Sequence, residues 1–534
     1  MILLWVDINS SFAHSSLALP ALHAQSAQER WLWHVVSGTL QTPYTHFIQE
    51  ALRLQPEVIT ATAWLFTHNR LLEVLSRIKA LLPHTYIIIG GPEFLGNNEP
   101  YLKTHPYVDA VFRGEGEEVF PLWLRYWNQP EKRNRLPGVC TLDAQAIYQD
   151  NGTAKVACFQ ALRPPECSPF FVLDKPFVQI ETSRGCFNEC YFCVSGGDKP
   201  VHLCLMEQIR ERLKKLANKG ILKIRILDRT FNAIPKRAIE LLHLFKEFTG
   251  IFIFHIEIHP ALLTPELKRV IASLPEGLIH VEAGVQSLDD RVLEVSGRIG
   301  NRADTLEGLR FLSSNPNFET HVDLIAGLPH YTLTHLIEDV KELMILRLDE
   351  IQLELLKLLP GTKMRKKAAS LEITYAPTPP YEVLSTPAMP TEALNKAIQL
   401  SHLLDGWYNG KSDWREPFVL LVLQESHFLD AFLHELMKKQ LLEQPLSMER
   451  RGLLLYEFCI KHYPSHLPEI SVSWIRAGYS LKKGPGQQVI PCKNGSKDDM
   501  RFYRLPTPSG DYWFGFDRKE ERRRPCVIQR HPPE

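Results

Sequence analysis

The chain has 534 residues, with 61 basic and 61 acidic side chains, so no global field draws in nucleic acid or an anionic membrane. Hydrophobic content of 44% and charged content of 23% are ordinary for a soluble globular protein, and the length calls for two or three domains. No run reaches the roughly 18–20 apolar residues that span a bilayer. Ten cysteines are too sparse for a disulfide scaffold, and three within eight positions suggest metal chemistry in a reducing compartment. Met1–Asp7 carries no basic flank and too short an apolar run for a signal peptide, which makes cytoplasm the expected location.

In chain order, strands are predicted at Ile2–Ile8, Trp31–Ser37, Glu57–Ala63, Thr85–Ile89 and Asp109–Phe112. Helical patterns lie between them, most clearly at Asn69–Leu82 and Glu117–Trp127, so residues 1–127 read as a parallel sheet with crossover helices. Turn residues follow several strands: Asn9-Ser10-Ser11, Gly90-Gly91-Pro92 and Arg113-Gly114-Glu115-Gly116-Glu117. Ligands of open parallel sheets bind beyond the strand carboxyl ends, and glycines there admit a ligand close to the backbone. Gly90-Gly91-Pro92 also suits a plain tight turn, and no Gly-x-Gly-x-x-Gly marks a dinucleotide site.

Residues 128–175, broken by Pro130, Pro137, Pro164, Pro165 and Pro169, read as a linker with short β-like pieces such as Gly138–Leu142. From Pro176 the alternation resumes, with strands expected at Val178–Glu181, Lys223–Asp228, Phe252–Ile258, His280–Val285, His321–Ile325 and Glu350–Leu356. Helices are expected at Leu205–Lys219, Lys236–Thr249, Pro265–Ser273, Ala303–Ser313 and Leu333–Leu346, which suits a complete or partial parallel barrel over 176–365. Residues 366–534 read as a mainly helical domain, with helices at Glu392–Leu404, Phe418–Leu442 and Met448–Lys461. Trp407, Tyr408 and Trp414 suit core packing better than a planar ligand. Gly484–Glu534 is rich in Gly, Pro and charge, and its Arg522-Arg523-Arg524 run suits a solvated tail better than a binding patch.

Cys186, Cys190 and Cys193 follow the first barrel strand with the spacing Cys-x3-Cys-x2-Cys. An iron–sulfur cube has four irons, so three thiolates leave one open, as a catalytic metal requires. The amino and carboxylate groups of S-adenosylmethionine (SAM) suit that position, and an electron passed to SAM cleaves its carbon–sulfur bond to give a 5′-deoxyadenosyl radical. The competing reading is zinc, which wants a fourth nearby ligand; Cys204 is the nearest candidate and no second Cys-x2-Cys exists.

Cys-x3-Cys-x-aromatic-Cys resembles the signature of the radical SAM superfamily, with Phe192 at the aromatic position. Ile226–Asn232, Phe254–Glu257, Val281–Ser287, Asp323–Pro329 and Leu356–Thr362 are similar to the later strands of that family. The resemblance implies a [4Fe–4S] cluster on Cys186, Cys190 and Cys193 and SAM contacts from Phe192, Asn232, Glu257, Glu282 and backbone near Gly327. Either glutamate alone equally suits a structural salt bridge.

An α/β domain ahead of such a barrel, with Asn9–Leu17, Ile89–Glu93 and Gly114–Glu117, resembles the cobalamin-binding class of the superfamily, over about residues 1–360. The likeness includes a subgroup whose C-terminal domain has no assigned role. It implies a Rossmann-like cobalamin-binding-type domain, a partial (βα)6 radical SAM barrel and a helical C-terminal domain. Cobalamin contacts are implied for Asn9, Ser10, Ser16, Gly90, Gly91, Pro92, Glu93, Gly114 and Glu115. Asp-x-His-x-x-Gly is absent, so His14 is not assigned to cobalt. Base-off cobalamin, or a domain that has lost the cofactor, remains. Trp64 and Thr67 are placed toward the corrin, and Trp64 equally suits the core.

Methyl transfer to an unactivated carbon of a small molecule is the implied reaction, fed by an electron donor such as flavodoxin or ferredoxin. The alternatives are an oxidative cyclase of a porphyrin-like substrate, a tRNA-modifying radical enzyme and a non-enzymatic cobalamin or iron sensor. Methylthiotransferases carry three further cysteines in an N-terminal domain; here the first cysteine is Cys140, which weakens that reading.

Overall fold

A computed structural model describes residues 1–13, 15–27, 29–492, 500–507, 510–517 and 524–532. His14, Arg522 and Arg523 lie outside the described residues. The chain forms two compact units: Met1–Glu319 with Gly327–Thr332 and Leu355–Thr391, and Thr320–Ala326 with Leu333–Glu354 and Glu392–Glu534.

The first unit opens with β1 (Ile2–Asn9), β2 (Leu32–Thr39), β3 (Val58–Thr62), β4 (Tyr86–Gly90) and β5 (Ala110–Phe112). Their order, β2-β1-β3-β4-β5, is that of a doubly wound sheet, and all these pairs are parallel. Both faces are covered, so the strands are apolar on both sides. Leu4, Val6, Ile59, Ile87, Ile89 and Val111 point into one core, and Leu3, Trp5, Val58, Ile88, Ala110 and Phe112 into the other.

The Pro-rich segment after this domain is not only a linker. Its first part adds β6 (Val139–Leu142) and β7 (Tyr148–Asp150) antiparallel to the sheet edge, making seven strands. Ala154 then bridges Gly114, and Glu115 Oε2 accepts a 2.6 Å hydrogen bond from Val156 N.

Next come β8 (Val178–Ile180), the two-residue strands β9 (Ser183–Arg184) and β10 (His202–Leu203), then β11 (Lys223–Ile226), β12 (Ile253–Ile258) and β13 (Ile279–Gln286). β8, β11, β12 and β13 form a parallel sheet in that order, with helices Met206–Ala217, Pro235–Lys246 and Pro265–Ala272 between strands.

The second unit holds most of β14 (Glu319–Ala326) and most of β15 (Glu350–Leu355), which are neighbours in sheet order. Its helices run over Leu333–Ile345, Thr391–Leu403, Arg415–Gln424, Phe428–Lys438, Met448–His462 and Leu467–Ala477. Trp407, Tyr408 and Trp414 are buried there, and the Trp414 indole donates to Met448 O at 2.8 Å. Among the described residues, the Gly- and Pro-rich end contains four antiparallel strands, Ile490–Pro491, Met500–Leu505, Tyr512–Asp517 and Val527–Gln529, where a mainly helical domain was expected. Among the described residues no helix is long and apolar enough to cross a membrane.

Candidate active site

The cysteine loop is held shut at its base. β9 and β10 pair antiparallel across residues 185–201, with His202 opposite Arg184 and Leu203 opposite Ser183. Below them, the buried Asp228 carboxylate accepts from Thr182 N at 2.7 Å and Ser183 N at 2.9 Å, fixing the exit of β8 to the exit of β11. Gly185 has φ +98°, and a Cβ there would stand 2.7 Å from Asp198 O, the oxygen that accepts Cys186 N at 2.9 Å. Only glycine makes this turn without strain.

Within the loop, the Asn188 Oδ1 accepts Glu189 N at 3.0 Å and Ile299 N at 3.1 Å, while Tyr191 N donates to Ser296 O at 2.8 Å. Cys186 and Cys190 are buried and Cys193 is half-buried. Burial pushes the Cys190 and Cys193 thiols up. Opposing this, Arg298 Nη1 donates to Cys190 Sγ at 3.6 Å, and Ser195 N donates to Cys193 Sγ at 3.4 Å. The three thiols also raise one another electrostatically, a repulsion that a cationic centre would offset. Hydrogen bonds aimed at ligand sulfurs are what tune an iron–sulfur cluster. The donor set therefore fits the cluster. Among the described residues no three His, Cys, Asp or Glu side chains stand close enough to hold a single metal ion. Cys204, the candidate fourth ligand for zinc, points its thiol at Glu181 O at 3.8 Å, and burial pushes it up to about 11.

A cleft of about 450 Å³ adjoins this loop in the first unit. One wall is Gly185, Val194, Ser195 and Asp198, which flank the cysteines, with Arg229 beside them. The other wall is the strand-end rim of the first sheet: Thr62, Trp64, Gly90, Gly91, Pro92, Gly114 and Glu115. Gly91 has φ +116°, and a Cβ there would lie 2.8 Å from Ala63 O. On the same face of the sheet Thr60 and Thr62 of β3 and Gly90 of β4 are small, which opens a slot between Trp5 and Phe112. Arg184 joins the two walls, with Nη1 3.3 Å from Glu115 and Nη2 2.9 Å from Glu117 and 2.6 Å from Glu181.

Of the expected cobalamin contacts, Gly90, Gly91, Pro92, Gly114 and Glu115 line this cleft, and Trp64 does too, at 38% exposure. The others are placed differently. The Asn9 amide donates to Asp7 Oδ2 at 2.8 Å, Ser10 is exposed, and the buried Ser16 Oγ accepts from Ala18 N at 3.2 Å. Glu93 is buried away from the cleft, with the Tyr381 hydroxyl donating to its carboxylate. Thr67 is buried.

Of the expected SAM contacts, Glu257 and Glu282 stand side by side in register on β12 and β13. Glu257 lies near enough to Cys193 to raise its thiol electrostatically, and Glu282 Oε2 is 2.7 Å from His255 Nε2. Phe192 is half-buried and Gly327, with φ +89°, is buried just past β14. Asn232 is fully buried, and its amide clasps the His259 peptide, accepting from His259 N at 2.8 Å and donating to His259 O at 2.9 Å. Arg298 was not foreseen: an arginine three residues past the helix Asp290–Val295 gives no signal until the fold turns it back onto Cys190.

The family model of the Radical SAM superfamily matches residues 180–343, and that of the B12 binding domain matches residues 6–123. The chain is a radical SAM protein with a B12-binding domain. The radical SAM domain implies a [4Fe–4S] cluster and SAM, and the B12-binding domain implies cobalamin. Among curated relatives, the cobalamin-dependent radical SAM methyltransferase TokK of Streptomyces tokunonensis is 25% identical, over 52% of this chain and 43% of TokK. The tRNA-2-methylthio-N(6)-dimethylallyladenosine synthase of Alcanivorax borkumensis is 25% identical, over 48% of this chain and 56% of the synthase. This radical SAM protein thus matches about half the length of either. In fold it is similar to the radical SAM methyltransferase TsrM of Kitasatospora setae, solved with tryptophan substrate and a SAM analogue. The TM-score is 0.61 at 17% identity, covering 82% of this chain and 99% of TsrM.

Proposed function

We propose that this protein is a cobalamin-dependent radical SAM enzyme that transfers a methyl group to an unactivated carbon of a small molecule. The observation that carries the reading is that the glycine rim of the B12-binding domain and both flanks of the cysteine loop line one cleft. Cofactors held on those two walls would face each other, which the division of labour between a methyl carrier and a radical source requires.

When bound, the cluster and SAM supply a hydrogen-abstracting radical and cobalamin supplies the methyl group. The chain does the holding. Cys186, Cys190 and Cys193 are the cluster ligands, and the Glu257 and Glu282 pair suits an ammonium or a ribose diol. Gly90, Gly91 and Gly114 let a large, mostly uncharged macrocycle lie against backbone. The slot lined by Trp5, Thr60, Thr62 and Phe112 suits the flat base of the cobalamin nucleotide tail, which favours the base-off state. The Arg184 ion pairs hold the two walls at one spacing, so the cleft is pre-formed.

The test is anaerobic reconstitution with iron, sulfide and hydroxocobalamin, followed by addition of SAM and reductant. The expected result is corrin and cluster absorbance in one protein, with formation of 5′-deoxyadenosine. Untargeted analysis of extracts for a new methyl group then names the substrate. Zinc in place of iron and sulfide, or a protein without corrin, overturns the reading.

A further inference from the structure

A second face of the cysteine loop carries charge that the cleft chemistry does not use. Tyr191 sits between the cluster ligands Cys190 and Cys193, and its carbonyl accepts Met364 N at 2.8 Å, which fastens the helical turn Lys363–Lys366 to the loop. Arg365 of that turn points inward, donating to Leu358 O at 2.9 Å and covering the Tyr381 ring. Lys363, Lys366 and Lys367 are exposed. Lys363 and Lys367 place their ammonium groups 5.4 and 4.9 Å from the Tyr191 ring centre. Lys199 joins them through Glu189, whose two oxygens take Lys199 at 3.0 Å and Lys363 at 3.3 Å. Two lysines thus share the Glu189 carboxylate, and the exposed Lys366 and Lys367 of the same turn add positive charge beside them. Tyr191, Lys199, Lys363 and Lys367 lie off the cleft wall, so ligands in the cleft leave this face open.

Resting on the radical SAM reading above, we propose that Lys199, Lys363, Lys366 and Lys367 form the docking face for an acidic, low-potential one-electron carrier protein. Cleaving SAM consumes one electron per event, which a donor must bring to the cluster. A carrier docked on Tyr191 is separated from the cluster by the ligand loop alone. Docked there, the carrier gives up one electron to the cluster and leaves oxidised by one; no bond forms or breaks in that step. A lysine patch of this kind steers an acidic partner, and its effect is screened by salt.

The experiment compares the reconstituted holoprotein with Lys363→Glu/Lys367→Glu and the milder Lys363→Ala/Lys367→Ala, using flavodoxin as the probe. Calorimetric binding of flavodoxin is expected to weaken about tenfold in the charge-reversal variant, less in the alanine variant, and to weaken with salt in the parent protein. Formation of 5′-deoxyadenosine driven by titanium(III) citrate, which needs no docking, is expected to stay at the parent rate in both variants, while the rate driven by reduced flavodoxin falls. Equal flavodoxin affinity in all three proteins overturns the proposal. So does a loss confined to binding of a transcribed tRNA, which would make the patch an RNA surface. If titanium-driven cleavage is absent from the parent protein, the radical reading itself fails and not the docking face.

Discussion

On the proposed reading, the two walls of the cleft would hold their ligands in opposite ways. The cysteine loop works through side chains: three thiols, a guanidinium on one sulfur and a backbone N–H on another. The rim of the first sheet works through missing side chains, with Gly91 and Gly114 at φ +116° and +99° pressed against Ala63 and Ala154 carbonyls. A covalently ligated cluster needs particular atoms at particular places, and a corrin needs a shaped surface. The first kind of site tolerates no change of ligand and some change of backbone; the second tolerates the reverse.

The sharpest way to break this contrast is to remove one ligand. Cys190→Ala is expected to abolish the cluster absorbance and all 5′-deoxyadenosine formation while corrin binding stays near the parent level, read by anaerobic absorbance and product analysis of one sample. Activity that survives the substitution would show that the loop is not the radical source. Loss of corrin together with the cluster would show that the walls do not bind independently.

Next in size is the converse change on the rim. Gly91→Val puts a branched side chain where φ is +116° and where even a Cβ meets Ala63 O at 2.8 Å. The backbone must leave its present conformation, at roughly 1–2 kcal/mol for the left-handed region alone and more for the clash. Corrin affinity is expected to fall at least about tenfold, since about 1.4 kcal/mol corresponds to one decade. Cluster content and SAM cleavage driven by a chemical reductant should be unchanged, and equilibrium dialysis of hydroxocobalamin with iron analysis checks both.

The same contrast explains what was legible in the sequence. The cysteine spacing states its chemistry outright, and both sheets follow from period and length, with strand ends mostly within one or two residues of expectation. β6 shows as the β-like piece Gly138–Leu142, though not as part of the sheet edge, while β7 was missed because three residues are too short to show a period. Helices Arg415–Gln424 and Phe428–Lys438 read as one because residues 425–427, Glu-Ser-His, contain neither proline nor glycine. For polar residues at strand ends, sequence names the group and not its partner. Asn232 looks the same whether it faces a cofactor or clasps the His259 peptide, and Glu93 finds its hydroxyl on Tyr381, 288 positions away. Such pairings are settled by tertiary packing.

The smallest expected effect compares the same two regions through their buried histidines. His68 lies beneath the rim, with Nε2 3.0 Å from the Tyr101 hydroxyl, and burial lowers it to about 4. His259, on the barrel side, has Nε2 2.7 Å from Ile299 O, and burial with the nearby Arg298 charge lowers it to about 3. Both rings stay neutral in the folded protein while the unfolded chain protonates near the ordinary histidine value. Their contribution is therefore whole above about pH 6.5 and is lost as pH falls toward 4 and 3. Between pH 8 and pH 5 each accounts for about 2 kcal/mol of lost stability, at roughly 1.4 kcal/mol per pH unit. Denaturant unfolding of His68→Gln should lose about 2 kcal/mol of the parent's decline over that range, whatever its stability at pH 8. An unchanged decline would mean that the His68 ring is solvated in the folded state, and that the rim is looser than the barrel side in the absence of its ligand.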